Sequence, residues 1–204
     1  MRGSQGRFIR PTVVSQYQAD LQDRLERIFD REQIKVEWSS MQEENELTLY
    51  SPRIDLAVGP FATQQRYGHI YDEMLQRYKI NDFIRRLIEF NHLNLAEYGD
   101  FVRPFEYDEI VIMNHNARCF MAIEIENNVS RKHLMGGAIN ASALGRFGVV
   151  IPWSSEKLRA FVKLVRYLHY LRYAEKNTFD TSNLLIITRE QIDRAIDESV
   201  NRIV

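Results

Sequence analysis

The sequence predicts an α/β domain, a three-layer sandwich with a mixed central sheet, and three observations predict it. From Cys119 onward, apolar runs of strand length alternate with amphipathic segments of helix length, in the order strand, helix, strand, helix, strand, helix. That alternation marks an α/β layer with some parallel pairing. Two of the runs, FGVVIP (147–152) and LLIIT (184–188), show no polar alternation, as strands buried on both faces do. Ahead of them lie a helix, a pair of extended segments and a helical stretch, so the 204 residues read as one domain, 1–204, carrying a helical insertion at about 63–108.

In chain order, VVSQYQADLQDRLERIFDR (13–31) sets Tyr17, Leu21, Leu25, Ile28 and Phe29 on one helical face. EENELTLYSP and RIDLAVGPF read as two extended segments with a break at Ser51-Pro52; in the second, Ile54, Leu56 and Val58 alternate with Asp55 and Ala57. Residues 63–98 read as two helices joined at Ile80-Asn81-Asp82, with Asn81 or Asp82 capping the second. EIVIM (109–113) reads as a strand that forms a hairpin with Cys119–Glu126. Arg131–Leu144 is a helix of small residues, and its two glycines argue against an unbroken one. A helix from Lys157 to about Lys176, capped by Ser154 or Ser155, and a final helix from Arg189 complete the pattern.

Lys+Arg 27 against Asp+Glu 28 gives a net charge of -1, so a nucleic-acid contact requires a local basic patch. The single Cys119 excludes an internal disulfide and a cysteine-cluster metal site, which fits a reducing compartment. No apolar run approaches the roughly 20 residues of a membrane helix. The start MRGSQGRFIRP lacks the apolar stretch of a secretory signal, so a cytoplasmic protein is expected. Neither GxxxxGK[ST] nor GxGxxG occurs, which argues against a nucleotide cofactor.

The chemistry concentrates in AIEIE (122–126). Glu124 and Glu126 lie two apart on a strand that begins as a buried one, so both carboxylates share a face, roughly 6–7 Å apart along the chain. Burying them costs several kcal/mol unless something compensates, or the strand end emerges into water. If the strand carrying Asp55 lies alongside, Asp55 and Glu124 converge on one hard cation.

SPRID (51–55), AIEIE, the helix SRKHLMGGAINASALG and the strand FGVVI together resemble the PD-(D/E)XK nuclease superfamily, the restriction-endonuclease-like fold, over roughly Leu47–Ile151. The resemblance implies a magnesium- or manganese-dependent endonuclease acting on DNA, with Asp55, Glu124 and the Ile125 carbonyl as metal ligands. The family's lysine position holds Glu126 here, an E-x-E variant; Glu126 or Lys132 would then orient or deprotonate the attacking water. Glu26 on the leading helix would join the site, as it does in some members, and His133 would assist the leaving group. Many restriction enzymes act as symmetric dimers, so a homodimer is an assembly to test. A catalytically inactive relative that binds nucleic acid or a protein is the alternative, and a dimer built on the helix around Asp82–Tyr98 is a third.

Arg159, Lys163 and Arg166 fall on one stripe of the helix from Lys157, continued by Tyr170 and Tyr173. That stripe would track a phosphate backbone, or form an ordinary solvated face.

Overall fold

The computed structural model describes residues 12–41, 51–98, 103–127, 130–176 and 179–201. Five strands form one mixed sheet: β1 (Ile34–Ser39), β2 (Arg53–Val58), β3 (Cys119–Glu126), β4 (Gly145–Pro152) and β5 (Leu184–Ile186), lying side by side in that order. β1 and β2 are antiparallel, as are β2 and β3, whereas β3, β4 and β5 run parallel. The parallel half follows from its connections, since α5 (Arg131–Leu144) and α6 (Ser155–Tyr173) carry the chain back across one face of the sheet before each new strand.

Leu56, Ile123, Val149 and Leu185 point to the other face, where they pack with Leu21 and Leu25 of α1 (Val13–Leu25), Phe83 and Leu87 of α3 (Tyr78–Tyr98) and Ile192 and Ile196 of α7 (Arg189–Asn201). On the opposite face Val150, Leu184 and Ile186 pack with Ala138 of α5 and Phe161 of α6. Each fully buried aliphatic side chain contributes about 1.5–3 kcal/mol. β4 sits at the centre, buried at every position, as its unalternating sequence predicts.

α5 lies close on the sheet because Gly148 has no side chain: a Cβ there would meet the Ala141 carbonyl carbon and the Ser142 nitrogen at 2.8 Å, both backbone atoms. Gly148→Ala is therefore expected to cost about 1–3 kcal/mol, read as a fall in melting temperature. α5 itself is unbroken despite Gly136 and Gly137; Ser130 caps it by accepting from the His133 N–H.

Other sequence expectations change too, beginning with the first helix, which ends at Leu25 and does not run on to Arg31. EIVIM forms no strand: Tyr107–Ile110 is a short helix, α4, followed by turns, and β3 pairs with β2 and β4 instead of forming that hairpin. The cause is local, because the Glu106 and Glu109 side chains cap each other's backbone N–H groups and nucleate a helical turn. The break between α2 (Gly68–Gln76) and α3 falls at Arg77, which is extended, and not at 80–82. Asn81 lies inside α3, where its amide donates to the Leu75 carbonyl at 2.8 Å and closes off the end of α2 from the neighbouring helix. The strand β1 at 34–39 has no counterpart in the sequence reading; most of EENELTLYSP, 43–50, lies outside the described residues.

The helical stretch after residue 63 is built into the fold. Asn91 accepts the Ile186 N–H at 2.9 Å, and Asn94 donates to the Ile186 carbonyl at 2.7 Å, so α3 satisfies the outer edge of β5. Phe83, Ile84, Leu87 and Ile88 of α3 are buried in the core, while Leu93 stands exposed on the same helix.

Candidate functional site

β2 and β3 set Leu56 opposite Ile123 and Ala57 opposite Ala122. One step further, the same register sets Asp55 opposite Glu124. The next rung would join Ile54 to Ile125, and there the ladder stops: the Ile125 N–H donates to Asp55 Oδ2 at 2.7 Å. The two backbone groups of a strand residue point to the same side, so the Ile125 carbonyl also faces the gap that β2 leaves. Asp55 and Glu124 are then a pair without ladder bonds, the kind in which facing side chains come closest. The helical stretch between them in the chain does not separate their strands.

Neighbouring elements hold this pair. Glu37 lies on β1 between Val36, which faces Leu56, and Trp38, which faces Ile54. Its φ of 51° places it in the left-handed region, at a cost of about 1–2 kcal/mol. Gln18 of α1, only 6% exposed, spans the two acids: its Nε2 donates to Glu37 Oε1 at 3.1 Å and to Asp55 Oδ1 at 3.2 Å. From the opposite layer, Asn140 of α5 hydrogen-bonds Glu124, while a Cβ on Gly137 would lie 3.8 Å from the Glu124 Cβ, so α5 roofs the site.

The electrostatics follow from this crowding. Burial raises the Asp55 carboxyl above its ordinary value, and Glu37 and Glu126 add to the rise; the Ile125 N–H and the hydrogen bond from Glu124 oppose it. Glu124 is pushed up to about 9, first by burial and then by the Asp55 charge. Glu124 is therefore the protonated partner at neutral pH, donating to the Asp55 carboxylate. Two acids that share one proton form a pair that a divalent cation would relieve.

Glu126 shares the Glu124 face of β3, and its charge acts on both acids, as the two-residue spacing predicts. Lys132 does not join them. It is exposed on the first turn of α5, about 140° around the helix from Gly137 at 100° per residue, whereas His133 lies about 40° away. The ammonium of Lys157 donates to Asn127, the residue after Glu126, at 3.3 Å. Glu26 is also away from the site: it caps the far end of α1 and pairs with Arg31 at 2.8 Å, two turns beyond Gln18. Arg159 and Lys163 are exposed on α6 and Arg166 is half-buried there, none of them beside the acids.

Sequence reasoning missed Gln18, Glu37 and Asn140. For Gln18 a signal existed, since it lies three and seven residues before Leu21 and Leu25, a polar side chain on a buried stripe. For Glu37 and Asn140 none did, because both act through strand register and helix crossing.

The donor set is two carboxylates and a backbone carbonyl, all hard oxygen, which suits magnesium or manganese with the remaining positions taken by water. Among the described residues no group of three or more histidine, cysteine, aspartate or glutamate side chains is placed to hold a metal ion. No helix of the described residues is long and apolar enough to cross a membrane. No protein-family model, no curated protein and no solved structure matches the chain.

Proposed function

We propose that the protein is a magnesium-dependent endonuclease that hydrolyses DNA phosphodiester bonds, with the restriction-endonuclease-like fold of the PD-(D/E)XK superfamily in an E-x-E variant. One observation carries this reading: Asp55 and Glu124, on adjacent antiparallel strands, meet in a side-chain hydrogen bond where the Ile125 N–H turns from the ladder to Asp55. The order of leading helix, antiparallel strands, acidic strand, helix and parallel strand supports it.

Asp55, Glu124 and the Ile125 carbonyl would hold the cation, and Mg2+ or Mn2+ bound there supplies an acidified water and neutralises charge on the phosphate. Asp55 is fixed for this task by the Ile125 N–H and Gln18, and Glu124 by Asn140. Glu124 would hold the cation only as its carboxylate and would give up its proton at neutral pH to do so. Glu126, on the same face, accepts the proton of the attacking water. Lys132 takes no part, so Lys132→Met is expected to change cleavage by less than about twofold, a loss well under 1 kcal/mol.

The test is incubation of circular DNA, double- and single-stranded, with the protein and Mg2+ or with EDTA. Nicking that requires the cation supports the reading. The placement of Lys132 favours a second one, an inactive relative that binds nucleic acid. That reading expects binding without cleavage in either metal.

A further inference from the structure

The outer face of α6 gathers charge and aromatic surface that the acid pair does not use. Between Ser130 and Ala174 the chain has eight Lys/Arg and one acid, Glu156, which leaves 19 Lys/Arg against 27 Asp/Glu for the rest. One of the eight, Arg146, is buried in β4 and paired with Asp72; the other seven stand on α5 and α6, so a nearly neutral protein carries a local excess of positive charge on that layer. None of the ion pairs among the described residues involves Arg159, Lys163 or Arg166, although Arg159 lies over the Tyr98 ring at 5.2 Å and hydrogen-bonds its hydroxyl.

Interleaved with these cations stand three tyrosines on successive turns: Tyr167 is 50% exposed, Tyr170 65% and Tyr173 90%. Aromatic residues normally bury their rings, so three exposed ones in a row on one helix require a reason. Arg159, Lys163, Arg166, Tyr170 and Tyr173 follow each other at spacings of four, three, four and three, one continuous stripe about 21 Å long. Beside it runs a groove of about 520 Å³ between α5 and α6, with Leu134, Met135 and Leu164 lining it and Arg131 and Lys163 supplying cations.

We infer that this stripe and groove bind single-stranded DNA, which makes unpaired strands the substrate class of the proposed nuclease, on whose reading the substrate role rests. Duplex DNA keeps its bases stacked inside and offers an exposed aromatic ring nothing to stack on. A single strand offers both a base face for each tyrosine and a phosphate for each cation. A protein partner of acidic character would match the charge but leave the tyrosine spacing unexplained. The track also leads to the acids: the first turn of α6 is tied by Lys157 to Asn127, next to Glu126. A strand lying along α6 is thereby directed toward the carboxylate end of β3.

Fluorescence anisotropy in EDTA separates binding from cleavage. The probes are a labelled oligothymidylate, a duplex of equal length and phosphatidylserine vesicles. We expect the oligothymidylate to bind at least about tenfold tighter than the duplex, with affinity falling as salt rises. Tyr167→Ala, Tyr170→Ala and Tyr173→Ala combined should weaken it by about tenfold or more, while the three Tyr→Phe changes retain it, because stacking needs the ring and not the hydroxyl. Arg159→Gln with Lys163→Gln should flatten the salt dependence. Equal or tighter binding to duplex, preference for the vesicles, an unchanged alanine variant, or a dimer that dissociates on tyrosine replacement would each overturn the inference. A chain that binds the single strand but never cleaves defeats only the nuclease reading, and one that cleaves without using α6 defeats only this one.

Discussion

Glu124→Ala is expected to lower cation-dependent DNA cleavage by about a thousandfold or more while leaving the protein folded. The size of the effect follows from the donor set. With only two carboxylates and one carbonyl facing the gap beside β2, losing one carboxylate removes a large part of the negative charge that retains the cation. Asp55→Asn should be nearly as damaging to cleavage. Its amide oxygen can still accept the Ile125 N–H, so the strand end keeps that hydrogen bond, while the charge and the acceptor for Gln18 are lost. Folding is checked by circular dichroism and by retained oligothymidylate binding. Either variant cleaving at the parent rate would remove the site from consideration.

The second large effect is on stability. In the cation-free protein, Glu124 holds its proton up to about pH 9, whereas an unfolded glutamate releases it near 4.5. Between those values the folded state binds more protons than the unfolded one, so stability falls as pH rises through this window. Below it both states are protonated and there is no penalty; above it both are ionised and the penalty is complete. Asp55, raised in the same direction, adds to the slope. By pH 8 the accumulated cost is on the order of a few kcal/mol.

Glu124→Gln keeps the shape and the ability to donate to Asp55 but cannot ionise. Its melting temperature should exceed that of the parent protein at pH 8 by several degrees, with the two converging near pH 4.5. Mg2+ should stabilise the parent protein and not the variant. Parallel profiles for the two proteins from pH 5 to 9 would mean that Glu124 carries no shared proton. The pairing of effects is informative, since one substitution is expected to stabilise the fold while it disables the chemistry.

Much of this was legible in the residues. The parallel half of the sheet follows from the uniform apolar runs of β4 and β5 and the helices between them, because burial on both faces leaves a plain signature. The acid pair was legible as a conflict, two carboxylates at the end of a buried strand, and conflicts of that kind mark functional sites. The antiparallel edge was harder. β1 contains charged Lys35 and Glu37 and has no clean alternation, since the left-handed Glu37 turns its neighbours onto different faces. α4 was misread because a capping box between Glu106 and Glu109 outweighs the strand preference of Ile110, Val111 and Ile112. Lys132 was placed by chain position alone, and a helix decides by angle. The exposure of the α6 tyrosines could not be foreseen either, because the same spacing serves a buried stripe as well as an open one.

The most direct test is a crystal of the protein soaked in Mn2+ and measured at the manganese absorption edge. The account predicts an anomalous peak within ligand distance, about 2.0–2.3 Å, of a carboxylate oxygen of Asp55, one of Glu124 and the Ile125 carbonyl, and its loss in Glu124→Ala. An empty gap between Asp55 and Glu124 in crystals of protein that cleaves DNA would contradict it.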